Sequence, residues 1–124
     1  MIRVLIVDDE QPSAELIRQL LEKYFHQIII SGIASGVCEA LHKLESAEVD
    51  LVFLDIMLNK ESGFDLLDKI AKRSFQFITL SATKDYAYKT FEYGGSGYLL
   101  KPVNKEEMLV ALSNLFSIKP FISK

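Results

Sequence analysis

The chain has 124 residues, 49% hydrophobic and 25% charged, which is the composition of one folded domain and excludes a disordered or collagen-like polymer. Lys+Arg 14 against Asp+Glu 17 leaves a net charge of −3, so there is no overall basic field for nucleic acid. The single cysteine, Cys38, excludes an internal disulfide and a cysteine-based metal site, and suits a reducing compartment.

Ile2 to Val7 is a nearly continuous aliphatic run, the pattern of a parallel strand buried on both faces. It is too short for a signal peptide and ends in Asp8-Asp9-Glu10, so the expected location is the cytoplasm. Pro12 suits the first turn of a helix, and Leu16, Ile17, Leu20, Leu21 and Tyr24 follow at helical spacing. Gln27 to Ile33 predicts a second strand, and Val37, Leu41 and Leu44 a second helix. Leu51 to Leu54 predicts a third strand ending at Asp55. Phe64, Leu67, Ile70 and Ala71 form the next helical face, and Phe75 to Leu80 a fourth strand. Tyr86, Ala87, Thr90 and Phe91 predict a fourth helix stopped by Gly94-Gly95. Gly97 to Leu100 is a short fifth strand. Asn104 with Glu107 resembles a capping pair for a fifth helix carrying Met108, Leu112, Leu115 and Phe116. No apolar run reaches the length of a membrane span.

Five strands alternating with five helices predict an α/β fold, a doubly wound parallel sheet covered on both faces. Ligands of such sheets bind outside the C-terminal strand ends. Those ends deliver Asp8-Asp9, Asp55, Ser81 and Lys101. Carboxylates on neighbouring strands, about 5 Å apart, repel by roughly 3 kcal/mol at an effective dielectric near 20. A hard divalent cation such as Mg²⁺ relieves that repulsion, and Lys101 adds a second positive charge. Acids, cation, lysine and hydroxyl together suit phosphoryl transfer to a carboxylate. Taken singly, each has a plainer reading: Asp8, Asp9 and Glu10 as helix-start acids, Asp55 and Lys101-Pro102 as turn residues.

The runs Val4-Leu5-Ile6-Val7-Asp8-Asp9-Glu10, Asp50-Leu51-Val52-Phe53-Leu54-Asp55-Ile56, Ser62-Gly63-Phe64, Ser81-Ala82 and Tyr98-Leu99-Leu100-Lys101-Pro102 stand in that order. With them the chain resembles a receiver domain of a two-component response regulator over about residues 2–117. Asp85 to Glu92, followed by Tyr98 to Pro102, is similar to the LytR/AlgR (LytTR) group. The resemblance implies a flavodoxin-like five-stranded sheet in the order 2-1-3-4-5, with residues 1–118 as the receiver domain and 119–124 as the start of a linker or a disordered tail. It implies that Asp55 accepts a phosphoryl group from a sensor histidine kinase. Asp8, Asp9, Asp55 and the Met57 carbonyl would hold Mg²⁺. Lys101 and Ser81 would contact the phosphoryl oxygens, Tyr98 would be the aromatic switch, and Lys101-Pro102 a cis peptide. The small Ala82 would keep the entrance to Asp55 open.

The same resemblance implies no turnover enzyme, only Mg²⁺-dependent autophosphorylation and autodephosphorylation. Homodimerisation through the fourth helix, fifth strand and fifth helix would follow phosphorylation. DNA would be reached only through a LytTR domain outside this chain; a stand-alone phosphorelay receiver is the alternative. A dehalogenase-like phosphatase would want an acid where Met57 stands, and a flavin carrier would suffer repulsion from Asp8-Asp9-Glu10. Asn59 stands where the family often has proline, which suggests a more polar, looser loop. Gly94-Gly95-Ser96-Gly97 suggests extra backbone freedom before Tyr98. Ser81 replaces the commoner threonine and keeps the hydroxyl. Cys38 reads as a small buried residue, and His26 and His42 as surface helix residues.

Overall fold

The computed structural model describes residues 1–116; the linker reading of 119–124 lies outside them. The elements run β1 (Ile2–Val7), α1 (Gln11–Tyr24), β2 (Ile28–Ala34), α2 (Val37–Ser46), β3 (Leu51–Asp55), β4 (Met57–Leu58), β5 (Glu61–Ser62), α3 (Gly63–Asp68), β6 (Gln76–Ser81), α4 (Ala87–Glu92), β7 (Gly97–Leu100) and α5 (Lys105–Phe116). Five strands form one parallel sheet in the order β2-β1-β3-β6-β7, the doubly wound arrangement expected. The tiny antiparallel pair β4-β5 was not expected.

Alternation along the strands sends side chains to two cores. Val4, Ile6, Leu51, Phe53, Ile78 and Leu80 pack against α1 and α5. Leu5, Val7, Val52, Leu54 and Phe77 pack against α2 and α3, with Tyr86 and Tyr93 at the flanks of α4. Phe53 and Phe77 are fully buried, each contributing about 1.5–3 kcal/mol of transfer free energy. β2 carries a bulge: Val4 pairs with Ile30 but Leu5 with Gly32. The skipped Ser31 donates its hydroxyl to the Val4 carbonyl at 3.2 Å.

Several local expectations need correction. Cys38 is exposed on α2, because its neighbours Val37 and Ala40 take the buried face. His26 lies in the turn after α1 rather than in a helix. The third helix stops at Asp68, so Ile70 packs on the core from outside any helix. Its start is set by a capping box: Ser62 Oγ accepts the Phe64 amide at 2.9 Å, and Asp65 accepts the Ser62 amide at 2.8 Å.

The glycine-rich stretch is not loose. A Cβ on Gly95 would stand 2.5 Å from Thr90 Cγ2 and 2.9 Å from the Thr90 carbonyl oxygen. Gly94 has φ +81°, a left-handed conformation that closes α4. Arg73 secures the same corner, donating to the carbonyls of Tyr93 at 2.9 Å and Gly94 at 3.3 Å and lying over the Phe77 ring. Nor is the loop at Asn59 loose. Asn59 has φ +61° in the two-residue turn joining β4 to β5, a conformation proline cannot adopt.

Candidate functional site

The sheet order reverses at β1, whose neighbours are β2 and β3, so a crevice opens where β1 and β3 end. Val7 pairs with Leu54, so the next residues, Asp8 and Asp55, leave the sheet side by side. Asp8, Asp9 and Asp55 each bring a carboxylate oxygen to within 4.8 Å of the others. Asp8 and Asp55 are buried, and Asp9 is exposed. From the other side, Leu100 pairs with Ser81, and Lys101 follows with its amide on the Ser81 carbonyl at 2.8 Å. The Lys101-Pro102 peptide is cis.

The Lys101 ammonium donates to Asp55 Oδ2 at 2.8 Å and to Glu10 Oε1 at 2.8 Å, and lies 3.1 Å from Asp8 Oδ2. Burial would lower the lysine pKa, but hydrogen bonds to Asp55 and Glu10 and the charges of Asp55 and Asp8 outweigh it, so Lys101 is held cationic well above its ordinary value. The Asp55 carboxyl is raised as well, to about 6. Burial is the main cause and the adjacent Asp8 carboxyl adds to it, against the lowering effects of Lys101 and of the Met57 amide. That amide donates to Asp55 Oδ1 at 3.0 Å, while the Met57 side chain is exposed.

Three acids, Asp8, Glu10 and Asp55, therefore surround one ammonium, and Asp9 adds a further carboxylate beside Asp8 and Asp55. Asp8 Oδ2 is buried without a hydrogen bond. An all-oxygen donor set with excess negative charge, one buried carboxylate oxygen of which has an ion pair to Lys101 but no hydrogen bond, fits a hard divalent cation.

Ser81 is buried at the end of β6, but its Oγ accepts the Thr83 amide at 3.1 Å; no described hydrogen bond joins it to Asp55 or Lys101. Tyr98 is half-buried on β7, its hydroxyl directed to the loop after β6. Ala82 is exposed and lines an open groove of about 450 Å³ between α1 and the Lys101-Pro102 turn, together with Glu10, Ser13 and Leu16. Reading Asp8 to Glu10 as helix caps fails. Glu10 occupies the position before α1 without capping it, and Asp8 Oδ1 accepts the Glu10 amide. Glu10 as a partner of Lys101 was not foreseen; the only hint was a third consecutive acid at a strand end.

Residues 4–113 match the profile of the response regulator receiver domain, and the chain belongs to that family. Among curated relatives, the sensory transduction protein LytR of Staphylococcus epidermidis is 40% identical over 115 residues, covering 91% of this chain and 45% of that protein. The sensory transduction protein LytT of Enterococcus faecalis is 36% identical over 107 residues, covering 85% and 44%. The chain thus spans about half the length of the curated relatives it matches. Among solved structures, the response regulatory domain of protein mrkE from Klebsiella pneumoniae superposes with a TM-score of 0.83 at 26% identity, covering 94% of this chain and 96% of that one. A two-component response regulator from Clostridium difficile gives 0.79 at 26% identity, covering 91% and 93%. Among the described residues no helix is long and apolar enough to cross a membrane.

Proposed function

We propose that the chain is the phosphoacceptor unit of a cytoplasmic LytTR-type regulator, with Asp55 taking a phosphoryl group from a phosphohistidine of a sensor kinase. One observation carries the reading: the buried Asp55 carboxylate lies against Lys101 and beside Asp8 and Asp9, at the switch point of the sheet. An Asp55 oxygen attacks phosphorus, forming an O–P bond as the N–P bond breaks and the imidazole leaves with the electron pair. Lys101 neutralises charge on the transferring oxygens. Asp8, Asp9, Asp55 and the Met57 carbonyl would hold Mg²⁺, which would neutralise phosphoryl oxygens when bound. The groove at Glu10 and Lys101 supports docking of a phosphohistidine-bearing partner. Acceptance and later loss of the phosphoryl group are the only covalent steps, so the chain works as a switch without a turnover substrate.

On phosphorylation, Ser81 turns toward Asp55, Lys101 shifts from the carboxylate to the phosphoryl oxygens, and Tyr98 fills the space Ser81 vacates. The surface of α4, β7 and α5 then favours a second copy; Tyr88, Phe91 and Val110 already expose apolar area there. A DNA-binding output domain outside this chain is supported by the length and names of the LytT and LytR relatives. The test is incubation with phosphoramidate and Mg²⁺. Intact-mass analysis should show one phosphoryl group on the wild type and none on Asp55→Asn. An unchanged wild-type mass overturns the reading. Size-exclusion chromatography with beryllofluoride tests dimerisation separately, and identical elution removes that part.

A further inference from the structure

Among the described acids paired with Lys101, Glu10 is the one that water reaches freely. Its side chain is 65% exposed, against 3% for Asp55 and 0% for Asp8. Its backbone is fixed, with the amide held by Asp8 Oδ1 at 2.9 Å. Its carboxylate does not cap α1, although it stands at the position where capping is commonest. It reaches across to Lys101 at 2.8 Å and so lies within two hydrogen-bond lengths of Asp55 Oδ2.

A lysine has three N–H donors; those of Lys101 serve Asp55 and Glu10, and the ammonium also lies 3.1 Å from Asp8 Oδ2 as an ion pair. A phosphoryl group on Asp55 brings added negative charge and new acceptor oxygens. Those oxygens compete with the present partners for the ammonium. Asp8 and Asp55 are buried and fixed beside the ammonium, whereas the exposed Glu10 can turn into water at little cost.

We propose that Glu10 is a positioning residue for phosphoryl acceptance, a displaceable counter-ion that holds Lys101 at the mouth of the site and opposes negative charge arriving on Asp55. The inference rests on Asp55 being the acceptor. Glu10 thereby lowers occupancy of the charged state and makes that occupancy dependent on salt.

The test uses the full chain and beryllofluoride, titrated in Mg²⁺ and followed by ¹⁹F NMR. Glu10→Gln should bind beryllofluoride roughly fivefold more tightly than wild type at low salt, with the difference shrinking near a molar salt concentration. Glu10→Asp, which keeps the charge but shortens the arm, should bind no more tightly than wild type. Mg²⁺ titrated alone should bind Glu10→Gln more weakly, because an anion near the cation has been removed. This opposite response to cation and anion separates charge from a structural role. Wild-type binding with an unchanged or weakened Glu10→Gln overturns the inference alone. A wild type that takes up no beryllofluoride removes the acceptor reading as well.

Discussion

Tyr98 donates its phenolic hydrogen to the carbonyl oxygen of Thr83 at 2.5 Å and accepts the Tyr86 amide at 3.3 Å. One hydroxyl on β7 thus ties together the segment that leads from β6 into α4. Tyr98→Phe keeps the ring and deletes both bonds. It should cost about 1 kcal/mol in urea unfolding and speed amide exchange at Tyr86, with β1 and β3 unaffected. Equal exchange at Tyr86 in both proteins would show that the bonds do not restrain the loop.

The charge state of Asp55 predicts a pH dependence in chelator. Its pKa of about 6 in the fold, above the ordinary 3.8, means that the folded state binds the proton more tightly. The resulting stabilisation is complete below the unfolded value and is lost as pH rises through 6. Asp55→Asn removes this dependence. Without divalent cations its Tm should exceed that of the wild type at pH 8, and the gap should close toward pH 4. Added Mg²⁺ should narrow the gap at pH 8 by stabilising the wild type alone. A gap independent of pH would contradict the assignment.

At the distal end of α4, Gly95 lies against Thr90, whose hydroxyl donates to Thr79 Oγ1 at 3.0 Å in the core. Gly95→Ala forces backbone and side chain apart and should cost about 2 kcal/mol or more by denaturant melting. A stabilised variant would mean that α4 shifts without penalty.

Arg73 offers a related check. It donates to three carbonyls, those of Phe75, Tyr93 and Gly94, and stacks on Phe77. Arg73→Ala should lose about 1–2 kcal/mol, and Arg73→Lys should recover little of it, since an ammonium lacks the planar fork. Full rescue by lysine would reduce the role of Arg73 to charge alone.

The central strands β1 and β3 were legible because burial on both faces writes them as nearly continuous apolar runs, and their ends carried Asp8 and Asp55 with them. The two six-residue helices were harder. Apolar Ile70 continues the helical spacing of α3 but packs after the helix has ended. Gly94 and Gly95 looked permissive because composition reveals φ freedom and hides neighbours; Arg73 and Thr90, which occupy the space beside them, come from elsewhere in the fold. Glu10 was masked by a general habit of acids at helix starts, and its real partner lies 91 residues away in the chain.

The bulge at Ser31 bears on how copies of this protein can meet. β2 is an outer strand of the sheet, and its residue Ile29 is partly open to solvent. A flat, regular rim of this kind would invite another chain to extend the sheet. The extra residue throws the spacing of donors and acceptors out of step midway along the strand, so an incoming strand cannot zip along its whole length. Fibre-like growth is discouraged on that side by backbone geometry alone, with no protective charge or proline in β2 itself.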